Sequence, residues 1–319
     1  MPLLIYSLPD HGVDEFRNLF LKVAPLSWKD LYPFESQYLE IPRSETTADW
    51  VRMHFVEKGS GDQVVVCVHG NPTWSFTFRE VLQQVSDQAR VIAVDHVGCG
   101  LSQKPQKYNY SLEQHIGNLA RLLEQLDLKR VTLLLHDWGG AIGLGAALRL
   151  PSRVERIVLL NTGAFPPPYI PWRIAACRVP GVGKLAVRGF NLFARAALSM
   201  TLHRLTRIEP QVAAGLIAPY HDWESRVAIW RFVQDIPRSK AHATWKVLSR
   251  IEDGCSIFSD RPIRIVWGVK DWCFRLECLE RLKAMFPHAK VRRLEDVGHY
   301  VMEEAAAEVI AELRECLAE

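Results

Sequence analysis

The chain lacks most of the features that mark a membrane, nucleic-acid or metal-dependent protein. No apolar run reaches the roughly 18 residues that a spanning helix needs. The opening residues, Met1-Pro2-Leu3-Leu4-Ile5-Tyr6, have no positive n-region and no long apolar core, so no secretory signal is expected. Lys and Arg number 39 against 36 Asp and Glu, a net charge of +3. That is too small to argue for nucleic acid, and no basic run is interleaved with aromatics. Cations recur through 173–207 with apolar residues between them. This reads first as a solvated helix face and second as a membrane-facing surface. The seven cysteines are scattered, odd in number and without a C-x-x-C pair. They read as reduced, buried thiols of a cytoplasmic protein, not as a disulfide or zinc framework. Internal repeats and low-complexity segments are also missing.

What is present is a core of ordinary composition. Hydrophobic residues make up 48% of 319 positions, enough for one large domain with an insertion or for two domains. Short β-branched runs alternate with longer helical patterns. Strands are predicted at 37–42, 51–57, 64–69, 90–95, 131–136, 157–161, 263–268 and 289–295. Helices are predicted at 74–88, 111–127, 139–150, 275–286 and 302–318. Near-continuous apolar strands alternating with helices predict an α/β fold: a mostly parallel eight-stranded sheet covered on both faces. The first two strands have no helix between them and predict an antiparallel edge hairpin. The rhythm stops after Asn161, breaks at Pro166-Pro167-Pro168, and resumes at Ile263. The stretch 166–255 is read as a helical cap inserted between core segments 1–165 and 256–319. Its Trp172, Trp223, Trp230 and Trp245 read equally as pocket lining or as cap core. Residues 1–32 form an extension open to core packing, oligomerisation or contact with a partner enzyme.

Ligand sites of parallel sheets collect at the carboxyl ends of strands, and four motifs fall there. The most telling is Val131-Thr-Leu-Leu-Leu-His136-Asp137-Trp138-Gly139-Gly140, a strand, a sharp turn and a helix. In α/β-hydrolases that elbow usually holds serine. Here it holds Asp137, which excludes a serine esterase. Asp137 reads either as an N-cap or as a carboxylate nucleophile; Gly139, Gly140 and Gly143 allow the close packing that an elbow needs.

The second motif is His69-Gly70-Asn71-Pro72-Thr73-Trp74. The backbone N–H groups of Asn71 and Trp138 form the natural oxyanion pair. The Asn71 amide and the Trp138 indole are further neutral donors, suited to a large, weakly basic anion such as a halide. His69 reads as a structural loop residue. The third motif ends in His299, a general base placed last in the chain order nucleophile, acid, histidine. The fourth carries Asp271, the acid that orients His299; the alternative position holds Asn161, which has no charge to offer. The turn Asp95 to Ser102, with Gly98 and Gly100, is read as structural, not as a phosphate loop. These residues call for no cofactor and no metal.

Taken together, the motifs resemble the haloalkane dehalogenase family of α/β-hydrolases. The resemblance rests on His69 to Phe76, Asp95 to Ser102, His136-Asp137-Trp138-Gly139-Gly140 and Gly298-His299-Tyr300, and extends from about Pro33 to near the C-terminus. It implies Asp137 as nucleophile, His299 as base, Asp271 as acid and Asn71 with Trp138 as the halide-binding pair, the pattern of the third subfamily. Asn161 to Phe165, Phe232 to Pro237 and Trp267 to Phe274 are similar also to the β-lactone decarboxylases of bacterial long-chain olefin biosynthesis. The leading expectation is a dehalogenase: Asp137 displaces halide from an alkyl carbon, and water activated by His299 cleaves the ester. The alternative is opening of a β-lactone with loss of carbon dioxide to a cis-alkene. Either substrate is small and apolar, with water and a halide ion as further ligands of the first reaction. An epoxide hydrolase using Tyr169 or Tyr220, or a non-catalytic binding protein, are the remaining readings.

Overall fold

β-branched and aliphatic runs become eight strands: β1 (Gln37–Pro42), β2 (Trp50–Lys58), β3 (Val64–Val68), β4 (Arg90–Val94), β5 (Val131–Asp137), β6 (Val154–Thr162), β7 (Ile263–Gly268) and β8 (Lys290–Leu294). The structure is a computed structural model that describes residues 27–43 and 49–319. The expectations for residues 1–26 lie outside the described residues, as does the connection between β1 and β2. The strand order is β1-β2-β4-β3-β5-β6-β7-β8. β1 pairs antiparallel with β2, and β2 antiparallel with β4; every other pairing is parallel. The α/β architecture and the edge position of the first hairpin strand are as the sequence predicts.

Side-chain alternation along each strand builds two cores. Leu133 and Leu135 of β5 pack with Ile116, Leu119 and Trp267 on one face of the sheet. Leu134 between them packs with Cys67, Val158, Val309 and Leu313 on the other. Helices Leu112–Gln125 and Trp138–Arg149 lie together on the first face, and Arg79–Gln84 and Ala306–Leu317 on the second. Ser111 caps the first of these, its hydroxyl accepting from the Gln114 N–H at 3.3 Å. The outer edge is β8, whose Lys290, Arg292 and Arg293 are exposed. Charge along an edge strand opposes pairing with another chain.

Two predicted helices are divided. Residues 74–88 form a 3₁₀ turn, Ser75–Phe78, followed by Arg79–Gln84. The last helix breaks at Ala305 into Val301–Glu304 and Ala306–Leu317. The break follows from Glu304: its buried carboxylate accepts from the N–H groups of Gly298 (2.6 Å), His203 (2.7 Å) and Leu205 (2.8 Å). A side chain with that duty lies against the preceding loop and does not lead a regular helix. Between Thr162 and Ile263 every described regular element is helical. The helix Ala243–Gly254 packs on both Leu112–Gln125 and Trp138–Arg149. No described helix is long and apolar enough to cross a membrane.

The fold's tightest point is the turn from β5 into its helix. Asp137 has φ 54° and ψ −126° there, a conformation rarely taken by residues with a Cβ. At Gly139 a Cβ would collide with the Val68 carbonyl of β3, a backbone atom that cannot swing aside. A Gly139→Ala substitution is therefore expected to lower unfolding free energy by about 1–3 kcal/mol, the usual scale of overpacking. Urea denaturation measures it; unchanged stability would mean that strand and helix are not held this closely.

Candidate active site

Four strand ends bring the site together. Asp137 stands at the end of β5. Asn71 follows β3, Asp271 follows β7, and His299 follows β8. The sequence-predicted residues Asn71, Asp137, Trp138 and His299 all line one cavity of about 440 Å³. Asp271 lies just behind it, 4% exposed, against the far side of His299.

The Asp137 carboxyl is buried, which pushes its pKa up; His299 and the N–H groups of Asn71 and Trp138 pull the other way without cancelling the rise. Asn71 N donates to Asp137 Oδ1 at 2.7 Å. This refines the sequence expectation. The Asn71 N–H grips an oxygen of Asp137 itself, and the Trp138 N–H lowers the pKa of the same carboxyl, so both are turned to that carboxyl and not to a departing group. The donors left for that task are side chains. Asn71 Nδ2 donates one hydrogen to the Ile229 carbonyl at 3.2 Å and carries a second. The Trp138 ring packs against Phe232, and its edge borders the cavity.

His299 Nδ1 donates to Asp271 Oδ2 at 2.8 Å. That fixes the ring so that Nε2 faces Asp137 Oδ2, 3.7 Å away. Burial opposes a charged imidazole, yet the Asp271 carboxylate, its hydrogen bond and Asp137 outweigh burial and raise the His299 pKa. Asp271 is itself held from two more sides. Asn161 Nδ2 donates to Oδ2 at 3.0 Å and the Cys273 N–H to Oδ1 at 2.6 Å. Asn161 also clamps Gly268, accepting from its N–H at 2.7 Å and donating to its carbonyl at 2.9 Å. The loop of His299 is pinned by His299 N to the Thr201 carbonyl, 2.7 Å, and by His136 Nε2 to the His299 carbonyl, 2.9 Å. Burial drives the His136 pKa down to about 3, so that ring stays neutral.

Sequence reading missed Asn161 and Glu304 as supports. Asn161 has no charge to offer His299, but its amide bridges Asp271 and Gly268. The signal for Glu304 was only its place three residues into a helix start. Other expectations resolve plainly. His69 Nδ1 bonds to the Gly70 carbonyl at 2.7 Å and Nε2 accepts from His96 N at 3.1 Å, a structural role. Asp95 accepts from Ser75 N and Leu101 N, holding its turn. Trp172, Trp223, Trp230 and Trp245 do not line the cavity; its aromatic wall includes Trp138, Phe165, Phe193, Trp272 and Phe274. Tyr220 is buried outside the cavity with its hydroxyl donating to the Thr73 carbonyl. Tyr169 reaches the cavity, but its hydroxyl accepts from Arg275 N and donates to the Cys273 carbonyl. Neither phenol is free to protonate an epoxide oxygen. All seven cysteines are free thiols.

A family model described as alpha/beta hydrolase fold matches residues 63–306. The cis-3-alkyl-4-alkyloxetan-2-one decarboxylase of Shewanella oneidensis is 37% identical over 295 residues, covering 91% of this chain and 90% of that protein. Haloalkane dehalogenase 2 of Mycobacterium tuberculosis is 29% identical over 289 residues, covering 89% and 96%. The crystal structure of haloalkane dehalogenase DatA from Agrobacterium tumefaciens superposes with a TM-score of 0.77 at 26% identity, covering 89% and 96%. Both resemblances drawn from the motifs are thus matched.

The Asp271–His299 pair makes a pH prediction. The folded His299 pKa lies above its ordinary 6.5, so the charged ring stabilises the fold. That contribution is complete below pH 6.5 and fades as pH rises through the raised value. Asp271→Asn should lower the His299 pKa, read by NMR of the imidazole, and cost most stability on the acidic side. A His299 pKa that stays raised in Asp271→Asn would show that the pair is not the source of the shift.

Proposed function

The chain belongs to the alpha/beta hydrolase fold family, and from that premise we propose that it is a β-lactone decarboxylase, acting on a cis-3,4-dialkyl β-lactone through Asp137. The observation that carries this reading is the cavity. At about 440 Å³ it falls in the range of sites for extended ligands, and its walls beyond the carboxylate are apolar, including Phe165, Ile170, Leu192, Val233 and Ile236. Two alkyl chains have room there, and a small haloalkane would fill little of it. The decarboxylase relative at 37% identity supports the same choice over the dehalogenase at 29%.

The chemistry follows from the donors and their positions. Asp137 Oδ2 attacks the ring carbon bearing oxygen, from the side opposite that oxygen. The C–O bond breaks and a free carboxylate appears on the neighbouring carbon. The Asn71 amide and Trp138 indole are the neutral donors for the oxygen as it takes up charge. Beyond those two donors the new carboxylate meets mostly apolar side chains that solvate it poorly. Loss of carbon dioxide removes that charge: its C–C electrons form the double bond, and Asp137 leaves as carboxylate. Inversion at attack followed by departure of the two groups from opposite faces keeps the alkyl chains on one side, giving the cis-alkene. No water is consumed. His299 is held by Asp271 beside Asp137, and both carboxylates favour its charged form, which aids the departure of Asp137.

A second reading keeps the dehalogenase expectation, favoured by Asn71 and Trp138 side by side at the carboxylate. There Asp137 displaces halide, and His299 Nε2 takes a proton from the water that hydrolyses the ester. The proposed compartment is the cytoplasm.

Incubation with a cis-3,4-dialkyl β-lactone should yield cis-alkene and carbon dioxide. Asp137→Ala should lower the rate by about 10⁴-fold or more, the scale of a lost nucleophile. Unchanged lactone overturns the reading, and bromide release from 1-bromobutane or 1,2-dibromoethane would move the assignment to the dehalogenase. In whichever assay is positive, Trp138→Phe keeps the ring and removes the N–H; a fall of about 10²–10³ in kcat is expected for one lost donor. A kcat equal to the parent's would remove Trp138 from leaving-group stabilisation.

A further inference from the structure

We propose that the first half of the helical insertion is a docking surface for an anionic lipid bilayer, and that the active-site cavity opens within it. The first observation is charge of one sign. Between Glu155 and Glu209 the chain has no acidic side chain, and Arg and Lys recur throughout. Some of these are spent internally: Arg178 and Arg188 donate to the carbonyls of Val233 and Trp223, and Arg204 pairs with Asp296 and Glu308. Arg173, Lys184, Arg195 and Arg207 form no ion pair among the described residues.

The second observation is what stands beside them. Trp172 is 74% exposed, Val182 69% and Phe190 63%, and Leu185 and Leu192 are also turned outward. Single exposed apolar residues are ordinary, but a cluster on one short stretch marks an interaction site. Cations stack on its rings in two places. The Arg173 guanidinium lies over the rings of both Trp172 (5.6 Å) and Trp272 (5.2 Å), and Trp272 Nε1 donates to the Met200 carbonyl at 2.6 Å. Lys184 lies over Trp223 and Trp230.

The third observation joins the patch to the cavity. Arg173, Val182, Leu192 and Met200 line the cavity and are also exposed, so they form its rim. A purely solvated helix face would turn only polar side chains outward here; Trp172, Val182, Phe190 and Leu192 are exposed beside the cations. A second copy of the chain fits poorly, because a two-fold contact would set this cationic face against itself. Cations with Trp and Phe beside them match a negatively charged bilayer surface, where the rings enter the headgroup region and the cations meet lipid phosphates. A substrate carrying long alkyl chains would then pass from bilayer to cavity without crossing water. That last step rests on the lactone reading above; the docking does not.

The test is sedimentation of the full chain with phosphatidylcholine vesicles, with and without about 30 mol% phosphatidylglycerol. Binding to the anionic vesicles should exceed binding to neutral ones about ten-fold or more and weaken at about 0.5 M salt. Lys184→Glu with Arg195→Glu should lower partitioning by about 25-fold or more, from about five-fold per cation removed. Phe190→Ser should lower it several-fold. None of these three side chains lines the cavity, so the thermal midpoint and turnover of any substrate in free solution serve as controls for folding. Absent binding, equal binding to both vesicles, or binding untouched by charge reversal overturns the proposal. So does a dimer in light scattering that Phe190→Ser dissolves, which would give the face to a second copy. Failure to turn over lactone with vesicle binding intact would leave the surface standing and remove only the lactone.

Discussion

A carboxylate buried at a strained turn governs this structure. Burial makes the charged form of Asp137 costly, and among the described residues no Lys or Arg pairs with it. A strong cation would keep it ionised but would also tie up its lone pairs. Backbone donors from Asn71 and Trp138 and the imidazole of His299 do the work more weakly, leaving an oxygen that faces the cavity. The positive φ of Asp137 is what aims the side chain there. Such a conformation costs on the order of 1–3 kcal/mol and persists only where the surroundings over-determine it. Here β3 lies so close that Gly70 and Gly139 are both required, and Thr162 Oγ1 donates to the Asp137 carbonyl from the other side.

The rest of the site is a set of fixed distances from that turn. Asp271 turns the His299 ring, Asn161 holds Asp271 and Gly268 together, and Glu304 closes the loop on which His299 rides. Each link joins a strand end to a loop. The parallel register of β5, β6, β7 and β8 therefore sets the spacing of all three side chains. The helical insertion supplies what the sheet cannot: an apolar wall, and an anchor for His299 N at the Thr201 carbonyl.

How much of this was legible in the sequence depended on whether a residue acts through its own backbone context or through a distant partner. Strands such as Val64–Val68 are apolar at every position, and period and composition reveal them. The elbow is local too, so Asp137 and Trp138 could be read from ten consecutive residues. Asp271 and His299 were inferred from chain order. Asn161 could not be: its use lies in two hydrogen bonds to β7, more than a hundred residues away. The Trp residues of the insertion stayed open between pocket lining and cap core for a different reason. Aromatic content alone does not say which way a ring faces, and Lys184 and Arg188 draw Trp223 to the outside of the cavity.

The same carboxylate, base and donors serve either reaction on offer, so the triad cannot decide between them. The deciding quantity is the fate of the alkyl ester on Asp137. Hydrolysis needs a water beside Asp137 and a neutral His299, and the Asp271 carboxylate on the far side of the ring works against that neutral form. Decarboxylation needs neither. It needs a neighbouring carboxylate whose charge is poorly solvated, which walls such as Phe165, Val233 and Ile236 provide. On the lactone reading proposed above, an imidazole paired with Asp271 and a largely apolar cavity favour loss of carbon dioxide over hydrolysis. On that reading the preference comes from the insertion and from Asp271, not from Asp137. One elbow aspartate can in this way serve either chemistry.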